Sequence, residues 1–194
     1  MTELIPKSIA AGLLVGIGVV VNTLAPNPII GAMLFSVALL AIIKNNLPLY
    51  TGRIGYAREI PLKNLIFMLL GNFVGVAIPV FMMIQKADFL PQMVAIAETK
   101  FYADILSLFF YGILCGVMMF VAVQSKHAVI TVFCIMTFIL SGFEHCIADF
   151  PYLLLNFTPV NCVKYLSIVL GNTLGSIGFY YCTIHKKELK GGDN

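Results

Sequence analysis

Six long apolar stretches dominate this sequence and limit its fold more than any other feature. They run over about residues 8–24, 29–43, 63–84, 103–123, 128–143 and 165–183. A helix needs roughly 20 apolar residues to cross the hydrocarbon core of a bilayer. Backbone groups in lipid must also find their hydrogen-bond partners within the protein, which a helix provides. The stretches therefore predict an all-α membrane protein with six transmembrane helices.

The composition excludes the common soluble classes. Hydrophobic residues make up 60% of the 194 residues, and charged residues make up only 11%, against about a quarter in an average soluble domain. A water-soluble chain of this size could not bury that much apolar surface. The formal net charge of +3 is too small to indicate nucleic acid as a partner. We expect a lipid bilayer around the chain and no nucleic-acid partner.

The cysteines indicate neither a metal centre nor a disulfide framework, because they are scattered singly and form no CxxC pair. There are five of them: Cys115, Cys134, Cys146, Cys162 and Cys182. Four lie within apolar runs, where a buried thiol behaves as a small hydrophobic side chain. We expect no cofactor and no metal.

The second and fifth stretches are short and end in polar, turn-forming sequence. Lys44-Asn45-Asn46-Leu47-Pro48 follows the second, and Glu144-His145-Cys146 lies at the end of the fifth. Clusters of proline and asparagine end helices. Non-helical backbone at membrane depth is tolerated only where it is buried in protein or lines a cavity. We predict that the second and fifth helices are broken and border a pore.

Basic residues are distributed unevenly between the two sides that six spans would create. One side carries nine of the twelve: Lys7, Lys44, Arg53, Arg58, Lys63, Lys126, Lys186, Lys187 and Lys190. The other side carries only Lys86, Lys100 and Lys164. The positive-inside rule then places both termini in the cytoplasm. We expect a multi-pass protein of the cell's inner (plasma) membrane, with residues 185–194 as a short cytoplasmic tail.

The two halves of the chain resemble each other at a spacing of 100 residues. Three pairs of segments share it: Gly12–Gly16 with Gly112–Gly116, Leu70-Gly71-Asn72 with Leu170-Gly171-Asn172, and Lys44-Asn45 with Glu144-His145. Each repeat holds three spans, so the halves insert in opposite orientations, and a solute path is expected at their interface. We predict one transmembrane channel domain over residues 1–194, built from inverted repeats at about 6–84 and 103–184.

A few polar groups lie within or beside the apolar stretches. Asn72 and Asn172 each need a partner, either a neighbouring helix or a solute in the pore, and both readings stay open. Glu144 and His145 are ionisable groups within the membrane, which are costly and are therefore functional candidates. His145 can exchange a proton near neutral pH, unless it only bonds between helices. Glu144 is expected to anchor loop amides or a neighbouring subunit.

Lys100 belongs to a predicted extracytoplasmic loop, Ala97-Glu98-Thr99-Lys100. A lysine at the mouth of a pore attracts anions. The alternative is a solvated loop cation with no further role.

The segment Ser141-Gly142-Phe143-Glu144-His145 and the paired Gly-Asn segments carry a resemblance. Over about residues 6–183 the chain resembles the formate/nitrite transporter family of pentameric anion channels. The resemblance implies an aquaporin-like fold, with the second and fifth helices broken and a pore in each protomer of a homopentamer. It also implies a small monovalent anion and a proton as partners.

The resemblance also assigns roles to single residues. It places these polar groups along the substrate pathway: His145, Thr51, Lys100, Asn172 and Glu144. It places these apolar groups at constrictions: Phe35, Leu39, Leu49 and Phe138. No catalytic residue and no metal ligand follows from it.

Together these features predict a channel or proton-coupled transporter for anions of weak acids such as formate, nitrite or hydrosulfide. Stripping a carboxylate-sized ion of water costs on the order of 20 kcal/mol in the idealised limit. The hypothesis is that Lys100 attracts the anion, which takes up a proton from His145 or from water. The neutral acid then passes the constrictions, while Thr51 and Asn172 offer hydrogen bonds that replace lost hydration.

Two alternatives belong to other classes. One is an aquaporin-like channel for small neutral solutes, but the single Asn27-Pro28 has no counterpart in the second half. The other is a membrane enzyme that uses Glu144, His145 and Cys146. It is disfavoured because no metal-ligand spacing accompanies these residues, so we predict that the chain is not an enzyme.

Overall fold

The computed structural model describes residues 3–125 and 127–183, which are helical with no strand. The helices are α1 (Leu4–Leu24), α2 (Pro28–Lys44), α3 (Tyr50–Arg53), α4 (Leu62–Met83), α5 (Phe89–Tyr102), α6 (Ile105–Ser125), α7 (Ala128–Leu140), α8 (Cys146–Leu155) and α9 (Pro159–Thr183). A 3-10 helix, Ile54–Tyr56, follows α3. The all-α prediction is confirmed for this part of the chain. The predicted tail and four of the lysines used for orientation (Lys126, Lys186, Lys187 and Lys190) lie outside the described residues.

Four of the described helices are long and apolar enough to cross a membrane: α1, α4, α6 and α9. They have 21 to 25 residues. At about 1.5 Å per residue each spans the roughly 30 Å of a hydrocarbon core. α2, α7 and α8 are apolar but shorter.

Close helix packing builds each half of the molecule around one pair of long helices. α1 packs along α4, and α6 packs along α9. Gly12 lies against the backbone of Asn72, and Gly116 lies against the backbone of Asn172. A Cβ atom at either glycine would overlap the carbonyl of that asparagine. These glycines therefore permit the close contact that fixes both asparagines in the interior.

Corresponding residues of the two halves are not separated by the same number of residues throughout. Gly116 lies 104 residues after Gly12, although Asn172 lies 100 residues after Asn72. The uniform spacing of 100 predicted from the sequence is therefore wrong for the first long helix of each half. Each half has glycines four residues apart on that helix, and four residues is about one helical turn. An alignment shifted by one turn thus still matches glycine with glycine.

The segment between α2 and α3 (the first break) and the segment between α7 and α8 (the second break) begin with the same backbone design. Two residues after α2 comes Asn46 (φ 52°), and two residues after α7 comes Gly142 (φ 70°), both in the left-handed region that asparagine and glycine adopt most readily. The next residue bonds back five positions: the N–H of Leu47 donates to the Ile42 carbonyl (3.0 Å), and Phe143 bonds likewise. This is the Schellman pattern of helix ends. His145 consequently corresponds to Leu49, and its predicted correspondence with Asn45 is wrong.

α5 is a helix that was not predicted from the sequence. Its C-terminal half contains residues 97–100, which were expected to form a loop. One face of α5 is buried at regular steps of four residues: Phe89, Met93, Ala97 and Phe101. The intervening polar residues lower its average hydropathy, so an amphipathic helix was mistaken for a loop.

Candidate functional site

Asn72 holds the first helix break against the long helices. Its side-chain oxygen accepts the N–H of Tyr50 at 2.8 Å. Its amide donates to the carbonyls of Pro48 (3.0 Å) and Ser8 (2.7 Å). A single buried side chain thus satisfies two backbone groups that the break leaves without helical partners, and it ties the break to α1 through the Ser8 carbonyl.

Asn172 does the same for the second break. Its oxygen accepts the N–H of Cys146 at 2.9 Å, and its amide donates to the carbonyls of Gly112 (2.9 Å) and Glu144 (2.8 Å). Both amide hydrogens are used, the side chain is fully buried, and it borders neither cavity described below. Of the two readings left open by the sequence, the geometry supports helix bonding. It gives no support to the predicted contact between Asn172 and a solute.

His145 and Thr51 join the two breaks. Thr51 Oγ1 lies 2.9 Å from His145 Nε2, and both side chains are buried. The N–H of Ala148 donates to His145 Nδ1 at 3.1 Å, which caps the start of α8. Because Nδ1 accepts, the neutral imidazole carries its proton on Nε2 and donates it to Thr51.

This arrangement makes His145 a hydrogen-bond donor and a poor source of a transferable proton. A proton added at Nδ1 would remove the acceptor that caps α8. Loss of the proton at Nε2 would leave an imidazolate. Of the two predicted proton sources for the anion, His145 and water, this geometry favours water.

Two aromatic rings lie on one side of His145, one in contact with the imidazole and the other behind it. Phe138 stacks on its ring, with centroids 5.6 Å apart and planes at 17°. Phe35 meets Phe138 edge to face at 6.2 Å. Of the other two predicted constriction residues, Leu39 is fully buried and Leu49 is the residue before α3.

Two cavities lie along α2 on opposite sides of Leu39. The smaller, of about 140 Å³, is bordered by Phe35 together with Phe138 and His145. The larger, of about 690 Å³, is bordered by Ile42 further along α2 and by Leu49. Leu40 also borders the larger cavity and lies five residues after Phe35, which corresponds to about 7.5 Å along the helix. Leu39 and Thr51, neither of which borders a cavity, lie between the two cavities.

Lys100 lies in the wall of the smaller cavity and not in an exposed loop. Its Nζ forms ion pairs with Glu144 and with Asp149 Oδ1, the latter at 3.1 Å. The lysine side chain is 19% exposed, and the two carboxylates are 7% and 4% exposed. The prediction of a loop cation is wrong, because α5 carries the ammonium into the protein. Pairing offsets the cost of burying its charge.

Asp149 is the site residue that sequence reasoning missed. It borders the smaller cavity with His145 and Lys100. A signal was present, because Asp149 follows His145 by four residues in an apolar segment. That spacing places two side chains on one face of a helix.

Glu144, His145 and Cys146 do not form a catalytic group. Glu144 is engaged by Lys100 and His145 by Thr51, while Cys146 is fully buried. Among the residues that the structure describes, no three His, Cys, Asp or Glu side chains come together as a metal site.

Comparison with known proteins gives the family. A family model described as formate/nitrite transporter matches residues 1–186. The chain belongs to the formate/nitrite transporter family. With its long apolar helices, this family member is a multi-pass membrane transport channel. At the level of the family, it belongs with transporters and not with enzymes.

Two solved structures share the fold of this family member. One is a pentameric formate channel with formate bound, 20% identical, with a TM-score of 0.75 and coverage of 95% of this chain and 97% of that chain. The other is an FNT family ion channel, 24% identical, with a TM-score of 0.76 and coverage of 94% and 90%. At these identities the likeness shows the fold alone. No curated protein sequence matches the chain.

Proposed function

We propose that the chain is a channel or proton-coupled transporter for small monovalent anions of weak acids, such as formate, nitrite or hydrosulfide. Membership of the formate/nitrite transporter family supports anion transport. The observation that carries the proposal is the pair of cavities separated by Leu39 and Thr51, with His145 at the boundary. Each cavity brings solute close to one short apolar barrier.

The proposed membrane topology has six spans in one channel domain. α1, α4, α6 and α9 cross the membrane whole, while α2 with α3 and α7 with α8 form broken spans. Inverted repeats at about 6–84 and 103–184 are supported by matching asparagine anchors and Schellman ends. Both termini lie in the cytoplasm, and the membrane is the cell's inner (plasma) membrane.

The proposed assembly is a homopentamer with one pathway in each protomer. A pentameric relative with the same fold supports this. Uncovered apolar stripes also run along two long helices: Ile66, Leu70 and Val74 on α4, and Leu166, Leu170 and Leu174 on α9. Exposed apolar surface of this kind is expected to contact lipid or a neighbouring subunit.

The barrier favours passage of the neutral acid. An anion between the cavities would lose its water among Phe35, Phe138 and Leu39, which costs several kcal/mol even after relaxation. Protonation removes most of that cost. Thr51 Oγ1 accepts the Nε2 proton of His145 and keeps its own proton, which it can donate to a solute oxygen. Leu49 completes the barrier on the side of the larger cavity.

The smaller cavity, with a volume of about 140 Å³, has room for a formate or nitrite ion with a few waters.

The test is a flux assay in liposomes that contain the purified chain. We expect rapid uptake of formate, nitrite or hydrosulfide that accelerates when the interior is made alkaline, because that gradient drives the neutral acid inward. Glycerol and urea are run beside them, with empty liposomes as the control. Glycerol or urea uptake without any weak-acid uptake would instead establish the neutral-solute channel.

A further inference from the structure

The group around Lys100 holds more negative than positive charge. One ammonium contacts two carboxylates, those of Glu144 and Asp149. All three groups lie in the protein interior. If both carboxylates were ionised, the group would carry a net charge of −1 next to the smaller cavity.

No described neighbour supplies the missing positive charge. The other titratable side chains around this group come from α6, α8, α9 and the second break: Cys115, Cys146, Tyr152, Tyr165 and His145. Thiols and phenols are neutral near pH 7, and the capping bond at Nδ1 keeps His145 neutral. Lys164 donates to the carbonyl of Phe101 at 2.6 Å and forms no described ion pair with either carboxylate.

One atom of the group has no partner. Asp149 Oδ2 is the buried side-chain nitrogen or oxygen that, within residues 3–125 and 127–183, makes no hydrogen bond. Asp149 borders the smaller cavity. A buried charged oxygen without a donor is costly, whereas a protonated oxygen becomes a donor for whatever occupies the cavity.

We propose that Glu144 and Asp149 share one proton beside Lys100, and that this proton decides whether the smaller cavity admits an anion. The inference rests on the proposed function. With the proton bound, the charges of the group cancel and the O–H of Asp149 donates to an oxygen of the anion. Without it, the net negative charge repels the anion. The proton comes from water and returns to water, so an O–H bond is the one bond that forms and breaks.

The expected size of the effect follows from Coulomb's law. At an effective dielectric constant near 20, one added charge about 5 Å from an anion would lower its occupancy more than a hundredfold. Water in the cavity screens part of this. We therefore expect about a tenfold difference in uptake.

The variant that tests this is Asp149→Asn, which has nearly the same shape and cannot ionise. Formate uptake of wild type and variant should be similar at about pH 5, whereas at about pH 8 the variant should exceed wild type about tenfold. Glu144→Gln should give the same flattened pH profile, because it also leaves one carboxylate for one lysine. Asp88→Asn is the matched control, because Asp88 is exposed and its side chain does not cap α5. Identical pH profiles for wild type and Asp149→Asn would overturn the inference.

A second measurement detects the shared proton independently of transport. Infrared spectra of the wild-type protein in liposomes near pH 7 should contain the carbonyl band of a protonated carboxyl group. The band should be missing from both Asp149→Asn and Glu144→Gln and present in Asp88→Asn. If the wild type lacks it, the shared proton does not exist. If the band is present but no weak acid is taken up, the proposed function fails while the shared proton stands.

Discussion

The two helix breaks share a backbone and differ in their chemistry. Each follows a Schellman helix end and is held by a buried asparagine, Asn72 in the first and Asn172 in the second. Where the second break has His145, the first has Leu49. The difference teaches that close packing and backbone hydrogen bonds maintain the repeat, while side chains within it are free to diverge.

The divergence extends to the charges at the two cavities. The residue of the first half that corresponds to Asp149 is Arg53, which borders the larger cavity with Lys44. The larger cavity is lined by these two cations and by Glu59, whereas the smaller cavity has a lysine held by two carboxylates. The two halves thus place different charged groups at the two ends of the proposed pathway.

The largest effect is expected from breaking what the two halves share. Asn172→Leu leaves the N–H of Cys146 and the carbonyl of Glu144 without partners in the interior, and it also removes the bond to the Gly112 carbonyl of α6. At about 1 kcal/mol or more for each unpartnered group, the free energy of unfolding should fall by about 2 kcal/mol. Thermal unfolding in detergent measures this.

Asn72→Leu is the matched variant in the other half. It should lose a comparable amount, because Asn72 makes three equivalent bonds. If one substitution is tolerated and the other is not, the halves do not share an anchor.

A second prediction concerns a substitution that gives the second break the residue found at the same position of the first. His145→Leu should keep the fold, because Leu49 occupies the same backbone position, and should lose only about 1 kcal/mol with the cap of α8. Formate uptake should fall to the level of empty liposomes, because Thr51 loses the imidazole N–H that directs its own hydroxyl proton towards the solute. His145→Asn can cap α8 but lacks the imidazole. This variant should therefore regain the stability that His145→Leu loses, but it should not take up formate. Uptake at the wild-type rate in His145→Leu would show that the imidazole has no role.

A third prediction concerns the glycines at the helix contacts. Gly116→Ala should destabilise the protein by about 1–3 kcal/mol, because the new methyl group overlaps the backbone carbonyl of Asn172. Gly12→Ala should do the same at Asn72. Gly178→Ala, on α9, is the control: its methyl group meets nothing within 4 Å, and alanine favours a helix. Equal melting temperatures for all three variants would refute the account of the close helix contact.

The smallest effect is expected at the larger cavity. Arg53→Met removes a cation from its wall and should lower formate uptake only a few-fold, because the charge attracts anions without contacting the barrier. The loss should shrink as salt rises, since ions screen exposed charges. Arg53→Lys should behave like wild type. A loss that is independent of salt would mean that Arg53 acts by another route.

Local patterns in the sequence predicted the long helices and the ends of α2 and α7, because apolar runs and turn residues are local features. They also pointed to His145 and Asn172. The partners of Lys100 depend on how α5 packs against α8, and no local pattern contains that contact. Asp149 had a local signal in its position four residues after His145, but its importance appears only when Lys100 and Glu144 are beside it. The spacing error came from glycines that match equally well one helical turn apart.

The central claim is that the weak acid crosses the barrier without net charge. It is tested most directly by measuring formate uptake into liposomes while the internal pH and the membrane potential are followed together. The account predicts that the interior acidifies by one proton for each formate and that the uptake rate does not change when the potential is clamped at different values. Uptake that leaves the internal pH unchanged and follows the clamped potential would show that the bare anion crosses, and would contradict it.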